Sequence, residues 1–272
     1  MTVAVIGGDR RMSCVARTFE GLGYDCITAA CENAKESVFD AIKASAVTVL
    51  PLPYQKGGIL NAPTSNEKIY VESIFAAGGE KTIFIGGMLP PDLPRSEDYA
   101  KREDFLIKNA VLTAEGAIEI ALRESDRSLF GASVTVFGFG RIGARIASLS
   151  SSFGAKVTVA ARRPESRALA EVQGFCAVDI EKAKGLLSGA DVIFNTVPSH
   201  ILGRVELEAL KASAVLIDVA SEPFGMSEED KAFCNARIIT APGRPGKTAF
   251  ESAGKIIFET VIEIMRERGL AI

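Results

Sequence analysis

Residues 133–147 constrain the fold of this chain more than any other stretch. Their sequence is Ser-Val-Thr-Val-Phe-Gly-Phe-Gly-Arg-Ile-Gly-Ala-Arg-Ile-Ala, a β-branched apolar run, three glycines and an amphipathic segment. Gly138, Gly140 and Gly143 have the G-x-G-x-x-G spacing, in which the glycines allow a tight turn, the approach of a pyrophosphate and close helix–strand packing. The motif indicates a dinucleotide site, and a packing turn in another α/β fold is the alternative.

The start of the helix after this turn is the predicted phosphate site. Its free N–H groups and the positive end of the helix dipole favour an anion. A polar segment, Asn-Thr-Val-Pro-Ser at residues 195–199, and Asp218 follow two later apolar runs, at the carboxyl edge where open α/β sheets bind ligands. The predicted cofactor-binding residues in these places are Gly138, Phe139, Gly140, Arg141, Ile142, Gly143, Thr196, Pro198 and Asp218. Asp218 holds the nicotinamide ribose in this interpretation, or is a helix cap.

The end of the second apolar run indicates which dinucleotide binds. Residues 156–161 are Lys-Val-Thr-Val-Ala-Ala, and Arg162 and Arg163 follow. An NAD site usually has an Asp or Glu here to hold the ribose 2′-hydroxyl. Small residues leave room instead, and guanidinium groups pair with a phosphate. We therefore expect NADP, with NAD possible, although arginines after a strand are also common as solvated surface residues.

The rest of the chain alternates strand-like and helix-like segments, which predicts parallel sheets covered on both faces. The predicted fold class is α/β, with two doubly wound parallel-sheet domains. Residues 1–112 form a flavodoxin- or Rossmann-like substrate domain, which a C-terminal helix over residues 248–272 completes. Residues 113–247 form a Rossmann domain that begins with a linking helix. We expect the dinucleotide on the second domain and the substrate between the two, because domain interfaces are frequent ligand sites.

Composition excludes several classes of function. The chain has 272 residues, 47% hydrophobic and 24% charged, with a formal charge of −3 and no basic cluster for nucleic acid or anionic membranes. We expect no signal peptide, membrane span or metal site, since no apolar run is long enough and there is one histidine. Five cysteines without C-x-x-C spacing indicate a reducing cytoplasm, with Cys176 and Cys234 as buried thiols.

Several motifs together resemble the family of dipicolinate synthase A subunits, over nearly the whole chain but loosely between residues 25 and 105. The matching elements are Gly-Gly-Asp at residues 7–9, Asn109, Thr113, Glu115 and Gly116, the glycine motif at 138–143, Ala-Arg at 161–162, Asn-Thr-Val-Pro-Ser at 195–199, Asp-Val-Ala-Ser at 218–221, Ala-Pro-Gly-Arg-Pro-Gly at 241–246 and Ala-Gly at 253–254.

This resemblance implies an enzyme in the cytoplasm of the mother cell of a sporulating bacterium. It would oxidise a dihydrodipicolinate-type ring to dipicolinate with NADP or NAD. It would work with the B subunit of dipicolinate synthase, which resembles flavoproteins. Loss of a hydride and a proton makes the ring aromatic, so positioning the ring is the main task of the protein. Self-association is possible, but no interface signal specifies it.

A dianionic substrate needs donors, and the reaction needs a proton acceptor. Arg10 at the first helix start, with the N–H groups of residues 8–11, and Arg244 in a rigid loop are candidate carboxylate ligands. Each is otherwise a surface arginine. The other candidate substrate contacts are Asn109, Thr113, Ser199 and Ser221. Thr113 is alternatively a capping residue, and Ser199 and Ser221 are alternatively turn residues. Asp9, Glu115 and His200 are the candidate proton acceptors, with water as a further one. Glu115 is alternatively a capping residue, and His200 is alternatively a structural or solvated loop residue.

Two other functions fit the same layout. A 2-hydroxyacid dehydrogenase shares the two domains and the mid-chain glycine motif, but that class uses an Arg, a Glu and a His of the coenzyme domain. Here Asp-Val-Ala-Ser at residues 218–221 replaces the strand end that bears the arginine. A nucleotide-binding regulatory protein without turnover is the second alternative, because no acid–base pair stands out.

Overall fold

Two parallel β-sheets organise the chain, each in its own unit. The computed structural model describes residues 1–32, 34 and 36–270. One unit comprises Met1–Asn109 and the chain from Ala249 onward, and the other comprises Ala110–Thr248. Among the described residues, no helix combines the length and the apolar character that a bilayer crossing requires. The predicted α/β class with parallel sheets is confirmed.

The first unit is wound around a five-stranded sheet. Its elements are β1 (Thr2–Ile6), α1 (Arg10–Gly21), β2 (Asp25–Ala29), α2 (Val38–Ala44), β3 (Val47–Val49), the hairpin β4 (Gln55–Lys56) and β5 (Ile59–Leu60), α3 (Val71–Ala77), β6 (Ile83–Gly86), β7 (Ser96–Asp98) and the start of α4 (Glu103–Glu124). The parallel strand order is β2-β1-β3-β6-β7. With the hairpin left aside, this is the flavodoxin-like order.

The second unit has the Rossmann order. It follows α4 with β8 (Ser133–Phe137), α5 (Arg141–Ser152), β9 (Lys156–Ala160), α6 (Pro164–Val172), β10 (Cys176–Val178), α7 (Ile180–Lys184), β11 (Val192–Asn195), α8 (Arg204–Glu208), β12 (Val215–Asp218), α9 (Glu228–Lys231), β13 (Arg237–Thr240) and α10 (Arg244–Thr248). All strands are parallel in the order β10-β9-β8-β11-β12-β13. Phe137 pairs with both Ala160 and Asn195, so three strands end level and their loops share one edge.

The last helix, α11 (Phe250–Glu267), belongs to the first unit and packs on α1. A Cβ at Gly254 would lie 2.6 Å from Cys14 Cβ and 2.7 Å from Arg11 O, so glycine permits this close approach. The sequence predicted one helix from Thr248. Instead α10 and α11 are separate, because Ala249 has a non-helical backbone (φ −138°, ψ 48°).

Other differences from the sequence prediction lie near the linking helix. The sequence predicts that the linking helix begins at residue 113, but α4 begins at Glu103, and the buried Phe105 anchors its first turn. The preceding segment contains strand β7 and a short 3-10 turn. Cys176, expected to be buried, is exposed because β10 is the edge strand of its sheet.

Candidate functional site

The glycine turn after β8 is built by two close backbone approaches. Gly138 has a positive φ of 90°, and a Cβ there would lie 2.4 Å from Thr196 Oγ1. A Cβ at Gly143 would lie 2.1 Å from Gly138 O, so α5 can approach the strand end only with glycine at this position. Thr196 Oγ1 also donates to Phe137 O at 2.8 Å, which ties the loop after β11 to the turn. Thr196 therefore packs against the glycine turn and stabilises it with a hydrogen bond.

Gly140 is different, because the space in front of it is open. Apart from its chain neighbours and the backbone of its own helix, no heavy atom of the described residues lies within 4 Å of a Cβ built on Gly140. Its φ is −90°. Gly140 is also the N-cap of α5, where no side chain caps the helix. The start of a helix leaves N–H groups without intrahelical partners and favours an anion. The turn thus fits the pyrophosphate of a dinucleotide.

A cavity of about 560 Å³ opens at this turn. Its walls are the glycine turn, the β9–α6 connection, the start of α7 and the loop after β11. The predicted site residues that it brings together are Gly138, Phe139, Gly140, Arg162, Arg163, Pro198 and Ser199. The volume lies within the usual range for small-molecule and cofactor sites. Arg141, Ile142 and Gly143 begin the helix beside it, and Gly143 is buried.

The far end of the cavity carries the arginines. Arg162 and Arg163 are exposed and line it, while Ala160 and Ala161 at the end of β9 are buried. No carboxylate therefore stands at the end of this strand. An acid that the sequence analysis missed, Asp179, lines the cavity from the N-cap of α7.

A second missed residue, Arg167, holds this end together. Its Nη1 donates to Ala161 O at 2.8 Å, to Arg162 O at 2.7 Å and to Asp179 Oδ2 at 3.1 Å. Asp179 is thus already paired with a cation. Arg167 lies in α6 four residues after the N-cap Arg163, and this position on a predicted helix was the one available signal.

A buried amide–carboxylate pair joins the loops after β11 and β12. Asn195 Nδ2 donates to Asp218 Oδ1 at 2.9 Å, and the N–H groups of Ala220 and Gly225 donate to the same carboxylate at 3.0 and 2.7 Å. Asp218 is fully buried. The Asp218 carboxylate is therefore already partnered within its own unit, and its contact with the coenzyme stays a prediction. The carboxylate holds the loop that follows β12.

His200 and Ser221 lie on these two loops. Both side chains are exposed, and His200 Nε2 lies 3.1 Å from Pro223 O, to which it donates. Ser199 lines the cavity next to His200. His200 thus lies between two residues that line the cavity, Ser199 and Ile201, and its role in proton transfer stays a prediction.

Arg244 packs against α4 within the second unit. Its Nη2 lies 3.5 Å from Glu119 Oε2, its side chain is 13% exposed, and a Cβ on Gly116 would lie 3.0 Å from Arg244 Cβ. The buried Arg244 Nε has no hydrogen-bond partner within the described part of the chain. A buried donor without a partner is costly, so Arg244 retains capacity for a ligand oxygen.

Of the other candidates on α4, Glu115 does not line the cavity at the glycine turn. Glu115 is exposed and lines a separate depression of about 550 Å³ with Ile118, Leu149 and Phe153. Thr113 is buried, and Asn109 is partly buried; both have polar or electrostatic partners. Glu115 therefore faces a depression other than the cavity at the glycine turn, and its catalytic role stays a prediction.

In the first unit, Asp9 is engaged by a neighbour that the sequence analysis missed. Arg11 makes a bidentate ion pair with the Asp9 carboxylate at 2.8 and 2.9 Å and donates to Leu52 O at 2.9 Å. Arg11 N also donates to Asp9 Oδ1 at 3.1 Å, so Asp9 caps α1. Both oxygens of the predicted proton acceptor are thus already occupied.

The N–H groups of residues 8–11 were expected to bind a carboxylate, and two of them are taken. Gly8 N donates to Asn61 O at 2.6 Å, and Arg11 N donates to Asp9. The Arg10 guanidinium stacks 3.7 Å from the centre of the Phe250 ring. This stacking holds Arg10 at the start of α1, and substrate binding by Arg10 stays a prediction.

Two further features of the described residues bear on metal binding and on the reactivity of two of the cysteines. No group of three His, Cys, Asp or Glu side chains there is placed to hold a metal ion. Burial raises the pKa of Cys31 to about 12, and burial with nearby Glu20 raises the pKa of Cys26 to about 12. Thiols with such a high pKa are poor nucleophiles at neutral pH.

Two family models match successive parts of the chain. The model of the N-terminal domain of the dipicolinate synthase A subunit matches residues 2–104. The model of the "D-isomer specific 2-hydroxyacid dehydrogenase, NAD binding domain" matches residues 108–224. The second match covers the glycine turn and the cavity described above.

Full-length relatives agree with the first match. The A subunit of dipicolinate synthase from Bacillus subtilis (strain 168) is 26% identical over 288 aligned residues, which cover 98% of this chain and 96% of that protein. The crystal structure of the A subunit from Bacillus halodurans has a TM-score of 0.85 at 25% identity and covers 97% of both chains. The crystal structure of its Bacillus subtilis counterpart gives the same TM-score, with 98% and 96% covered. The resemblance that the motifs indicated is confirmed.

Proposed function

From its kinship with the A subunit of dipicolinate synthase, we propose that this NAD(P)-dependent oxidoreductase oxidises a dihydrodipicolinate-type ring to dipicolinate. NADP is the proposed coenzyme, and the flavoprotein-like B subunit of dipicolinate synthase is the proposed partner. The proposed setting is the cytoplasm of the mother cell during sporulation. The class of enzyme follows from the family matches, whereas substrate, partner and coenzyme choice are inferences.

One observation carries the choice of coenzyme. The cavity runs from an open glycine, Gly140, at the start of α5 to Arg162 and Arg163 after β9. Residues without a negative charge end this strand, since Ala160 and Ala161 stand where an NAD site usually has an acid. Guanidinium groups pair well with a phosphate, which supports the 2′-phosphate of NADP at this end.

The chemistry divides between coenzyme and protein. When bound, the oxidised nicotinamide accepts the hydride from the substrate ring. The ring also loses a proton and becomes aromatic, so the protein has to hold the ring and receive that proton. Arg244, with its unpartnered Nε, is the strongest candidate for a substrate carboxylate, and Ser199 lies beside the cavity. Among the proton acceptors, His200 lies nearest to the cavity-lining residues in sequence, between Ser199 and Ile201.

The test of the coenzyme is a pair of titrations. Arg162→Ala should weaken NADPH binding by about 1.5–3 kcal/mol, the range for a hydrogen bond to a charged group, and leave NADH binding unchanged. Isothermal titration calorimetry measures both constants. Arg204→Ala is the control, since Arg204 is an exposed arginine that pairs with Glu208 outside the cavity. Equal losses for both coenzymes in Arg162→Ala contradict the preference for NADP.

The test of the reaction compares this chain alone with a mixture that also contains the B subunit. Each sample receives the dihydrodipicolinate precursor and NADP⁺, and dipicolinate and reduced coenzyme are measured together. One equivalent of each product is expected. If neither sample forms dipicolinate although the chain binds the coenzyme measurably, the result favours a regulatory protein without turnover.

A 2-hydroxyacid dehydrogenase activity is the second candidate, because that class's NAD-binding model matches residues 108–224. The side chains argue against it, since the one histidine is His200 and Asp218 is buried at the strand end. NADH-dependent reduction of pyruvate or hydroxypyruvate distinguishes the two functions, and we expect none.

A further inference from the structure

Residues 197–202, which follow β11 and are called the wall loop below, form one side of the cavity at the glycine turn. The cavity-lining residues of this loop are Val197, Pro198, Ser199 and Ile201. The loop belongs to no strand or helix, so a regular ladder of hydrogen bonds does not fix its backbone. The position of this side of the cavity therefore depends on the contacts that the loop makes with its neighbours.

A buried amide–carboxylate pair fixes the start of the wall loop. Asn195 Nδ2 donates to Asp218 Oδ1 at 2.9 Å and to Val197 O at 3.1 Å. Val197 N donates to Asn195 Oδ1 at 3.0 Å. Asn195 and Asp218 are both fully buried. The amide of Asn195 is thus held by Asp218 on one side and holds the first residue of the wall loop on the other.

The far end of the wall loop is anchored by Gly225, in the loop that follows β12. Gly225 O accepts hydrogen bonds from Ile201 N at 2.9 Å and from Leu202 N at 3.0 Å. Gly225 N donates to Asp218 Oδ2 at 2.7 Å. A Cβ at Gly225 would lie 2.4 Å from Asn195 Nδ2, so glycine permits this close approach. Both ends of the wall loop are therefore connected to the same carboxylate, that of Asp218.

The partners of Asp218 require a carboxylate at this position. Asn195 Nδ2, Ala220 N and Gly225 N all donate to it. An ionised carboxylate satisfies all three because it only accepts, whereas the NH₂ group of an asparagine would face one of these donors. A buried donor without an acceptor is costly. Neighbours within the protein thus give Asp218 a role that needs no contact with a ligand.

We propose that Asp218 is a positioning residue for coenzyme binding, which acts through Asn195 and Gly225 to hold the wall loop against the coenzyme. The adenosine diphosphate half of the coenzyme, between the glycine turn and the arginines after β9, packs against this loop. Asp218 itself touches no coenzyme atom. This inference rests on the proposed binding of the coenzyme in the cavity, and it is the alternative to a contact between Asp218 and the nicotinamide ribose.

The first experiment measures coenzyme binding by Asp218→Asn in the full-length chain. Calorimetry gives Kd for NADPH, for NADH and for ADP, which lacks the nicotinamide ribose. A displaced wall loop should raise Kd about tenfold for all three ligands, because all three contain the half that packs against it. A direct ribose contact would raise Kd for NADPH and NADH alone. That result, or unchanged Kd values for all three ligands, overturns the proposal.

Hydrogen exchange distinguishes the positioning role of Asp218 from a merely structural one. It reports the protection of individual segments in the folded protein, while urea denaturation reports the free energy of unfolding. We expect Asp218→Asn to lose protection at residues 197–202 and to keep it at residues 138–143. A lower free energy of unfolding with unchanged protection of the wall loop and unchanged Kd would show a structural role alone and contradict the proposal.

Gly225→Ala is the second variant, and it decides the matter if Asp218→Asn does not fold. Its added Cβ would meet the Asn195 amide and the Asp218 carboxylate, and Gly225 does not line the cavity. Kd for the same three ligands should again rise about tenfold. Gly189→Ala is the matched control, because a Cβ there meets no described atom within 4 Å beyond its chain neighbours. Equal Kd values for the two alanine variants overturn the proposal.

The outcomes separate this inference from the proposed function. If the wild type binds NADPH and both variants bind it equally well, the inference fails and the coenzyme site stands. If the wild type binds neither coenzyme, both fail. If Kd rises in both variants while the wild type does not turn over the dihydrodipicolinate precursor, the inference is supported and the proposed substrate is contradicted.

Discussion

At the scale of single residues, the three glycines of the turn have separate physical roles. Gly143 is required by the fold, because its Cβ would lie 2.1 Å from a backbone oxygen that cannot move independently. Gly140 has open space around it and an ordinary φ of −90°. The fold tolerates a side chain at Gly140, whereas a ligand phosphate that approaches the helix start does not.

This difference predicts opposite behaviour for two alanine variants. Gly140→Ala should lower the free energy of unfolding by no more than about 1 kcal/mol, the cost of a poorer N-cap, and weaken NADPH at least about tenfold. Gly143→Ala should lose about 2 kcal/mol of stability, the usual size of an overpacking defect. Urea denaturation and calorimetric titration measure the two effects. A stable Gly140→Ala protein with full NADPH affinity would show that the pyrophosphate lies elsewhere.

At the scale of elements, Asp191 connects the segments that precede two strands of the second sheet, β8 and β12, at the edge where the strands begin. It accepts from Ser133 N at 2.8 Å, where β8 begins, and from Lys211 Nζ at 2.6 Å, ahead of β12. Burial by itself would raise the pKa of Asp191, but the hydrogen bond from Lys211 and that from Ser133 N–H outweigh it and lower the pKa below its usual value. Folding therefore favours the ionised carboxylate.

The sign of this shift predicts a pH dependence. The stabilisation is fully present above the pKa of Asp191 in the unfolded chain, about 3.9, and is lost as the pH falls through the lower pKa of the folded state. Asp191→Asn should lower the free energy of unfolding by about 1.5 kcal/mol at pH 7. The difference in the free energy of unfolding between wild type and variant should become smaller below about pH 4.

Urea denaturation at several pH values measures this difference in the free energy of unfolding. Asp126→Asn is the control, because Asp126 is exposed. A difference between wild type and Asp191→Asn that stays constant down to pH 2 would contradict the role of the charge. A difference equal to that of Asp126→Asn would contradict the role of the hydrogen bonds.

At the scale of the whole molecule, ligand binding should report where the coenzyme lies. NADPH at 100 times its Kd stabilises the folded state by about 2.7 kcal/mol, because it binds the folded protein alone. We expect added hydrogen-exchange protection to concentrate at residues 138–143 and 161–167, in the glycine turn and around the β9–α6 connection. Protection confined to other segments would place the coenzyme outside the cavity.

The loops at the carboxyl ends of the second sheet's strands show which part of the candidate site the sequence can predict. Gly138, Gly140, Arg162, Pro198 and Ser199 were expected at one site and line one cavity. They converge because parallel strands place their carboxyl ends at one edge, so residues far apart in sequence meet by topology alone. Their roles in binding coenzyme or, for Ser199, substrate stay predictions.

The sequence by itself determined the alternation of strands and helices, the glycine turn and the absence of an acid after β9, since each depends on neighbours within a few residues. Only the tertiary structure decided which polar side chains remain available to a ligand. Asp218 is enclosed by Asn195, 23 residues away, and Arg11 is fixed to Leu52 O, 41 residues away. Burial and hydrogen-bond partners depend on such distant contacts, which is why Arg167 and Gly225 emerged only from the folded chain.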